Sequence, residues 1–153
     1  MDIGTLIGTG LGAVVGVGST LIADRVRWKR DQSMRQQELK RQLYGEYLVA
    51  LTRTRNQLKD LVRLPNLAAE ERAQRAGDLY REGGAYEIRY QMAITAPKHI
   101  VEPSENALRR LRDLRDRIQE NAPGTQLDSE FGRLIKAIKT LRDAMRTDLG
   151  SDL

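Results

Sequence analysis

The chain has 153 residues, of which 5% are aromatic and 31% charged, with four prolines and no cysteine. That length suits one domain, the residue balance favours helices over strands, and the lack of cysteine excludes disulfides, thiolate catalysis and cysteine-zinc sites and fits a reducing compartment. The net charge of +5 is unevenly placed: residues 24–64 hold eleven Lys/Arg against five Asp/Glu, whereas residues 65–153 hold fifteen of each. The basic excess therefore follows the apolar N-terminal segment and reads as membrane-flanking charge, where a duplex-binding domain would carry it on the folded module.

Residues 3–23 contain no charged residue and no proline. At about 1.5 Å per residue, a helix of that length reaches roughly 30 Å, the hydrocarbon thickness of a bilayer. Arg25, Arg27, Lys29 and Arg30 follow at once, and no Lys or Arg precedes the run. Basic flanks stay in the cytoplasm, so the expected topology is a single pass with the N-terminus outside and the C-terminal domain inside. Trp28 sits just past the apolar end, where an indole rests among lipid headgroups. A cleaved signal peptide would need a positive region before the run and a small-x-small site, and Leu21-Ile22-Ala23 is a poor one. Asp2 rules out N-myristoylation, which needs glycine there. A buried helix of a soluble core is the remaining alternative.

Gly4, Gly8, Gly12 and Gly16 recur every four residues, and Thr20 continues the row. Such a row makes a shallow groove that admits a second helix in the right-handed, GxxxG-type crossing. A homo-oligomer through this helix is therefore expected. Gly8-Thr9-Gly10-Leu11-Gly12-Ala13 also matches the dinucleotide fingerprint, but that motif works only between a strand and a helix, and no strand precedes it.

The expected fold is all-α: a transmembrane anchor (1–24), a basic juxtamembrane helix (25–42), and a roughly four-helix antiparallel cytoplasmic bundle (43–153). Residues 25–42 have little apolar content and read as a solvated stalk able to lie against anionic lipid. From Leu43 a core stripe begins: Leu43, Tyr47, Ala50, Leu58 and Leu61, with Leu48, Leu51 and Val62 beside it. Gly45 is a candidate joint. Leu64-Pro65-Asn66 ends this helix. A second helix is expected from Leu67 to Thr95, with Ala69, Ala73, Ala76 and Tyr80 as a small-residue stripe, weakened or kinked at Gly83-Gly84. Tyr86, Ile88, Tyr90 and Met92 alternate like a strand. A lone strand would have no partner, so the segment is assigned to helix with Ala85, Ile88 and Met92 facing in. Pro97 and Pro103 are expected to flank a short turn, with a single helical turn as the alternative. Ala107, Leu111, Leu114 and Ile118 then mark a helix ended by Asn121-Ala122-Pro123-Gly124. Leu127, Phe131, Leu134, Ile138, Leu141 and Met145 mark the last helix, with Asp128 or Ser129 as cap and Gly150 as stop.

Trp28-Lys29-Arg30-Asp31, Tyr44-Gly45-Glu46-Tyr47-Leu48 and Arg146-Thr147-Asp148-Leu149-Gly150 together resemble a group of small, uncharacterised actinobacterial single-pass membrane proteins. Those proteins have a Gly-rich anchor, a W-x-R-D…Y-x-E-[FY]-L helix and a terminal R-x-D-L-G. The bias of 20 Arg against 6 Lys suits a GC-rich genome. The resemblance implies architecture and no activity. It leaves Arg146 and Asp148 as candidates to pair with Glu46 or Arg41 on the first bundle helix.

No catalytic, metal or cofactor constellation is expected. His99, the single histidine, lies between prolines without an obvious partner. Asp113, Asp116 and Glu120 are interleaved with Arg109, Arg112 and Arg117 at spacings that make ion pairs on a solvated face. The serines and threonines have no general base at a defined spacing. The expected function is a non-enzymatic, membrane-tethered interaction or scaffold module with a cytoplasmic protein partner. The first alternative is a membrane-active protein whose glycine-zipper helices form a lesion or pore. The second is nucleic-acid binding through residues 25–42, and nucleic acid is not the expected partner.

Overall fold

The computed structural model describes residues 3–150, with side chains described from Arg27 onward. The described residues are helical and contain no strand: α1 (Ile3–Arg63), α2 (Ala69–Glu82), α3 (Ala85–Thr95), α4 (Lys98–Gln119) and α5 (Gly124–Asp148). The chain divides into two units, Met1–Leu39 and Lys40–Leu153. In the first, the described side chains up to Leu39 are all exposed, as a solvated basic stretch requires. The expected anchor span, the glycine row and Arg25 lie outside the residues whose side chains are described.

The second unit is a helical bundle built around α4. Its buried positions Ile100, Ser104, Ala107, Leu111, Leu114 and Ile118 recur at steps of three and four, and Leu108 beside Ala107 widens the face. α2, α3 and α5 all pack on it, and α1 supplies Leu43, Tyr44, Tyr47, Ala50, Leu51, Leu58 and Leu61 to the same core. The Tyr47 hydroxyl donates to the Ser104 carbonyl of α4 at 3.0 Å, so its polar tip is satisfied inside the core. The short turn from α4 to α5 makes these two antiparallel neighbours. α5 also runs antiparallel to the last six turns of α1, since Asp148 meets Lys40 while Asp128 and Arg63 line one groove.

The expected stripes are present with local corrections. Tyr44, left out of the expected core, is buried, while Leu48, Val62, Phe131 and Ile138 are only partly covered. α1 passes through Gly45 without a break. The expected single helix over 67–95 is two helices, which makes five in the described residues where roughly four were expected. Gly83 caps α2, and Gly84 takes φ +74° before α3, a left-handed turn that glycine adopts without steric cost. Ala85 and Met92 are buried and Ile88 half-buried, as the helical assignment of that segment requires. Residues 98–103 are helical, but they are the opening turns of α4 and not an isolated turn: α4 begins at Lys98 and contains Pro103 as its sixth residue, where the missing N–H leaves the His99 carbonyl without its usual i+4 donor. α5 begins at Gly124 after Pro123, one turn ahead of the expected cap at Asp128 or Ser129, because the φ of Pro123 (−58°) suits a helix start. Asn121 (φ +54°) and Gly150 (φ +66°) end α4 and α5 in the left-handed region, as placed.

Gly83 matters through space. It lies in the right-handed region, where alanine is at ease, but a Cβ there would come within 1.9 Å of the Thr54 hydroxyl oxygen. Thr54 is buried and donates to the Ala50 carbonyl, so a short, stiff side chain fills the gap left by the missing methyl. Gly83→Ala is expected to lower the unfolding free energy by about 1–3 kcal/mol through overpacking. Adding Thr54→Ala should restore part of that loss in a double-mutant cycle of urea melts. Strict additivity of the two changes would contradict this contact.

Candidate functional site

Three places on the bundle gather polar or exposed apolar side chains. The first is the end of α5. Asp148 lies in the last helical turn, where the carbonyl end of the dipole disfavours a carboxylate, so it needs donors. The Tyr44 hydroxyl donates to its Oδ2 at 2.8 Å and the Lys40 ammonium to the same atom at 3.2 Å. His99 Nε2 lies 3.3 Å from Oδ1. Burial pushes the Asp148 carboxyl up, but the Tyr44 hydroxyl, Lys40 and His99 outweigh that and hold it below its ordinary value of 3.8. The same burial, with the carboxylate beside it, pushes the Tyr44 phenol well above its ordinary range. Asp148 thus reaches α1 through Lys40 and Tyr44, where Arg41 and Glu46 were the expected partners of the C-terminal motif; Glu46 instead accepts from Gln42 on its own helix. His99, expected in a turn without a partner, stands in the first turn of α4 beside this carboxylate.

The second place is the exposed side of α3. Tyr86, Tyr90 and Ile94 follow at steps of four and are exposed. The Arg89 guanidinium lies 4.7 Å and 4.6 Å from the two ring centroids, and the rings meet edge-on at 5.7 Å. These cation–π contacts hold the long Arg89 side chain against its own helix.

The third place is a groove of about 370 Å³ between α1 and α5. Arg55, Asn56, Lys59, Val62 and Arg63 line it from α1, and Asp128, Phe131 and Ile135 from α5. Val62 and Phe131 are half-buried, and Ile135 is 50% exposed, so the floor is apolar. Arg55, Lys59 and Arg63 stand at i, i+4 and i+8, which puts them on one face of α1. Among the described residues none of the three has a carboxylate partner; Arg55 donates only to the neutral Asn56 amide, at 3.1 and 2.8 Å.

Elsewhere Arg75 pairs with Glu71, and on α4 Asp113, Asp116 and Glu120 are paired as a solvated face requires, but through Arg110, Arg115 and Arg117, so that of the expected Arg109, Arg112 and Arg117 only Arg117 is the partner found. Glu130 is buried and accepts from Arg133 at 2.9 Å through one oxygen, while its other oxygen has no partner among the described residues. Among the described residues no group of three or more His, Cys, Asp or Glu is placed to hold a metal ion.

Of the expected site residues, Arg27, Trp28, Lys29 and Arg30 are exposed along α1, with Trp28 66% exposed. Gly4, Gly8, Gly12, Gly16 and Arg25 lie outside the described side chains. Among the described residues, no helix is long and apolar enough to cross a membrane. The α1–α5 groove went unnoticed in the sequence because Arg53, Arg55, Lys59 and Arg63 were counted with the membrane-flanking cations. They lie at the far end of α1, and their four-residue rhythm from 55 to 63 was the available signal. No family model, curated protein or solved structure matches the chain.

A carboxyl held low by its partners stabilises the fold above its unfolded pKa, and that stability is lost as pH falls through the lower folded value. Asp148→Asn is therefore expected to cost about 1–2 kcal/mol at pH 7. In pH-dependent thermal melts the gap to wild type should close as pH falls below about 4. A gap that persists unchanged to pH 2 would show that Asp148 acts by packing alone.

Proposed function

We propose that this chain is a single-pass membrane-tethered interaction module, with the bundle on the cytoplasmic side offering its surface to a protein partner. The carrying observation is the uncharged run of 21 residues, 3–23, followed at once by Arg25, Arg27, Lys29 and Arg30. Taken as helix, the run matches the bilayer core in length, and its backbone belongs to α1. The cations on one flank favour retention of the bundle inside the cell. The glycine row at Gly4, Gly8, Gly12 and Gly16 supports pairing of two such helices, since close backbone approach supplies packing contacts that lipid tails do not match. The exposed flank of Arg27, Lys29 and Arg30 is suited to anionic headgroups, at about 1 kcal/mol per cation near the surface.

On the bundle, exposed apolar and aromatic side chains sit beside unpaired cations, a mixture suited to protein contact. The reading assigns the chain no reaction and no cofactor. It is tested by expressing residues 1–153 and residues 25–153 in bacteria and fractionating the cells. The full chain is expected to sediment with membranes and resist alkaline carbonate, while 25–153 stays in the supernatant with a helical circular dichroism spectrum. A full chain that stays in the supernatant would overturn the membrane tether. Growth arrest on induction of the full chain alone would favour a membrane-active protein.

A further inference from the structure

The α1–α5 groove goes further than a general capacity for protein contact. We propose that it is the docking site for an acidic amphipathic helix of a partner protein. The proposal rests on the reading of the chain as an interaction module and adds the place and the chemistry of the partner. Three features define the occupant. The floor of Val62, Phe131 and Ile135 is apolar, and Ile135 remains 50% exposed, so there is unburied apolar surface to cover. One wall carries Arg55, Lys59 and Arg63, none with a carboxylate partner among the described residues. These cations span about 12 Å of helix, the length of two to three turns of a partner. A helix whose apolar side chains recur at three and four residues fills such a floor, and acidic residues on its flank meet the cations.

Other ligands fit less well. A phosphate or a nucleic-acid backbone would use the cations and leave the apolar floor uncovered, and residues 65–153 carry no net charge to extend a nucleic-acid track. The neighbouring groove between α1 and α2 has apolar walls too, but Asp60 and Asp78 outnumber Arg75 along it, whereas the α1–α5 groove sets three cations against the single acid Asp128 and keeps a net positive lining.

The test uses the full chain in detergent micelles and labelled peptides of about 18 residues, read by fluorescence anisotropy. One peptide is amphipathic with leucines on one face and glutamates flanking them; a second has the same composition scrambled; a third replaces glutamate by lysine. A short DNA duplex is the fourth probe. The acidic amphipathic peptide alone is expected to bind, and Lys59→Glu with Arg63→Glu should weaken it at least about tenfold. Ile135→Asp should do the same without changing the helical spectrum, since that side chain is half in solvent. Failure of the acidic amphipathic peptide to bind, equal binding of the scrambled peptide or of DNA, or indifference to all three substitutions would overturn the assignment. The outcome is independent of the fractionation above: a membrane-bound chain that ignores this peptide keeps its tether and loses this docking site, while a soluble chain that binds it loses the tether and keeps the groove.

Discussion

The bundle depends on the apolar face of α4. Leu108, Leu111, Leu114 and Ile118 are each no more than 2% exposed, and Ile100 and Ala107 are sealed completely. α2, α3 and α5 pack on α4, and the C-terminal part of α1 adds side chains to the same core. Full burial of each leucine or isoleucine is worth about 1.5–3 kcal/mol. Five such residues on one helix therefore bring a hydrophobic contribution on the scale of the net stability of a whole small domain, about 5–15 kcal/mol. The other contacts choose the arrangement around α4. Tyr47 sets the height of α1 through the Ser104 carbonyl. Arg115 over the Tyr80 ring at 4.4 Å and the Gln119 amide on the Ala73 carbonyl at 3.1 Å set α2. Asp148 joins the end of α5 to Lys40, Tyr44 and His99.

The surface follows from how charge is distributed on these helices. Where arginine and a carboxylate stand three or four residues apart, as in α2 and α4, they neutralise each other on the helix that carries them. From Val49 to Arg63 α1 has Arg53, Arg55, Lys59 and Arg63 but only Asp60 as an acid. Its cations cannot be satisfied in the same way. Arg55, Lys59 and Arg63 line the groove whose other side is Phe131 and Ile135 of α5, at the edge of the core, with Asp128 as its one acid. An apolar strip with a net positive lining is a surface that a complementary partner can complete.

Periodicity made most of the helices legible. Leu127 to Met145 and Ala107 to Ile118 are long and strongly amphipathic, so their existence and buried faces were readable residue by residue. Boundaries were harder where proline or glycine acts by context. Pro103 looked like a helix breaker and stands inside α4 as its sixth residue; it removes one intrahelical bond, and the burial of Ile100, Ser104 and Ala107 around it outweighs that loss. Gly83-Gly84 was read as a kink and is a full break, since the left-handed φ of Gly84 cannot continue a helix. Tyr44 stands three residues before Tyr47 and seven before Leu51, so its burial was readable from the stripe; its bond to Asp148, 104 residues away, is what no local pattern carries. The groove was obscured for that second reason: Phe131 and Ile135 complete it from some seventy residues beyond Val62.

The proposed tether requires that residues 3–23 cross a bilayer with the bundle inside the cell. The native chain has no cysteine, so single cysteines report topology without background. Asp2→Cys and, separately, Ile94→Cys (Ile94 is 86% exposed on α3) would be treated in intact bacterial spheroplasts with a membrane-impermeant maleimide, before and after lysis. Labelling of residue 2 in intact spheroplasts, with residue 94 reacting only after lysis, is the predicted result. If residue 94 reacts in intact spheroplasts, or if neither position reacts until lysis, the single-pass topology with a cytoplasmic bundle is contradicted.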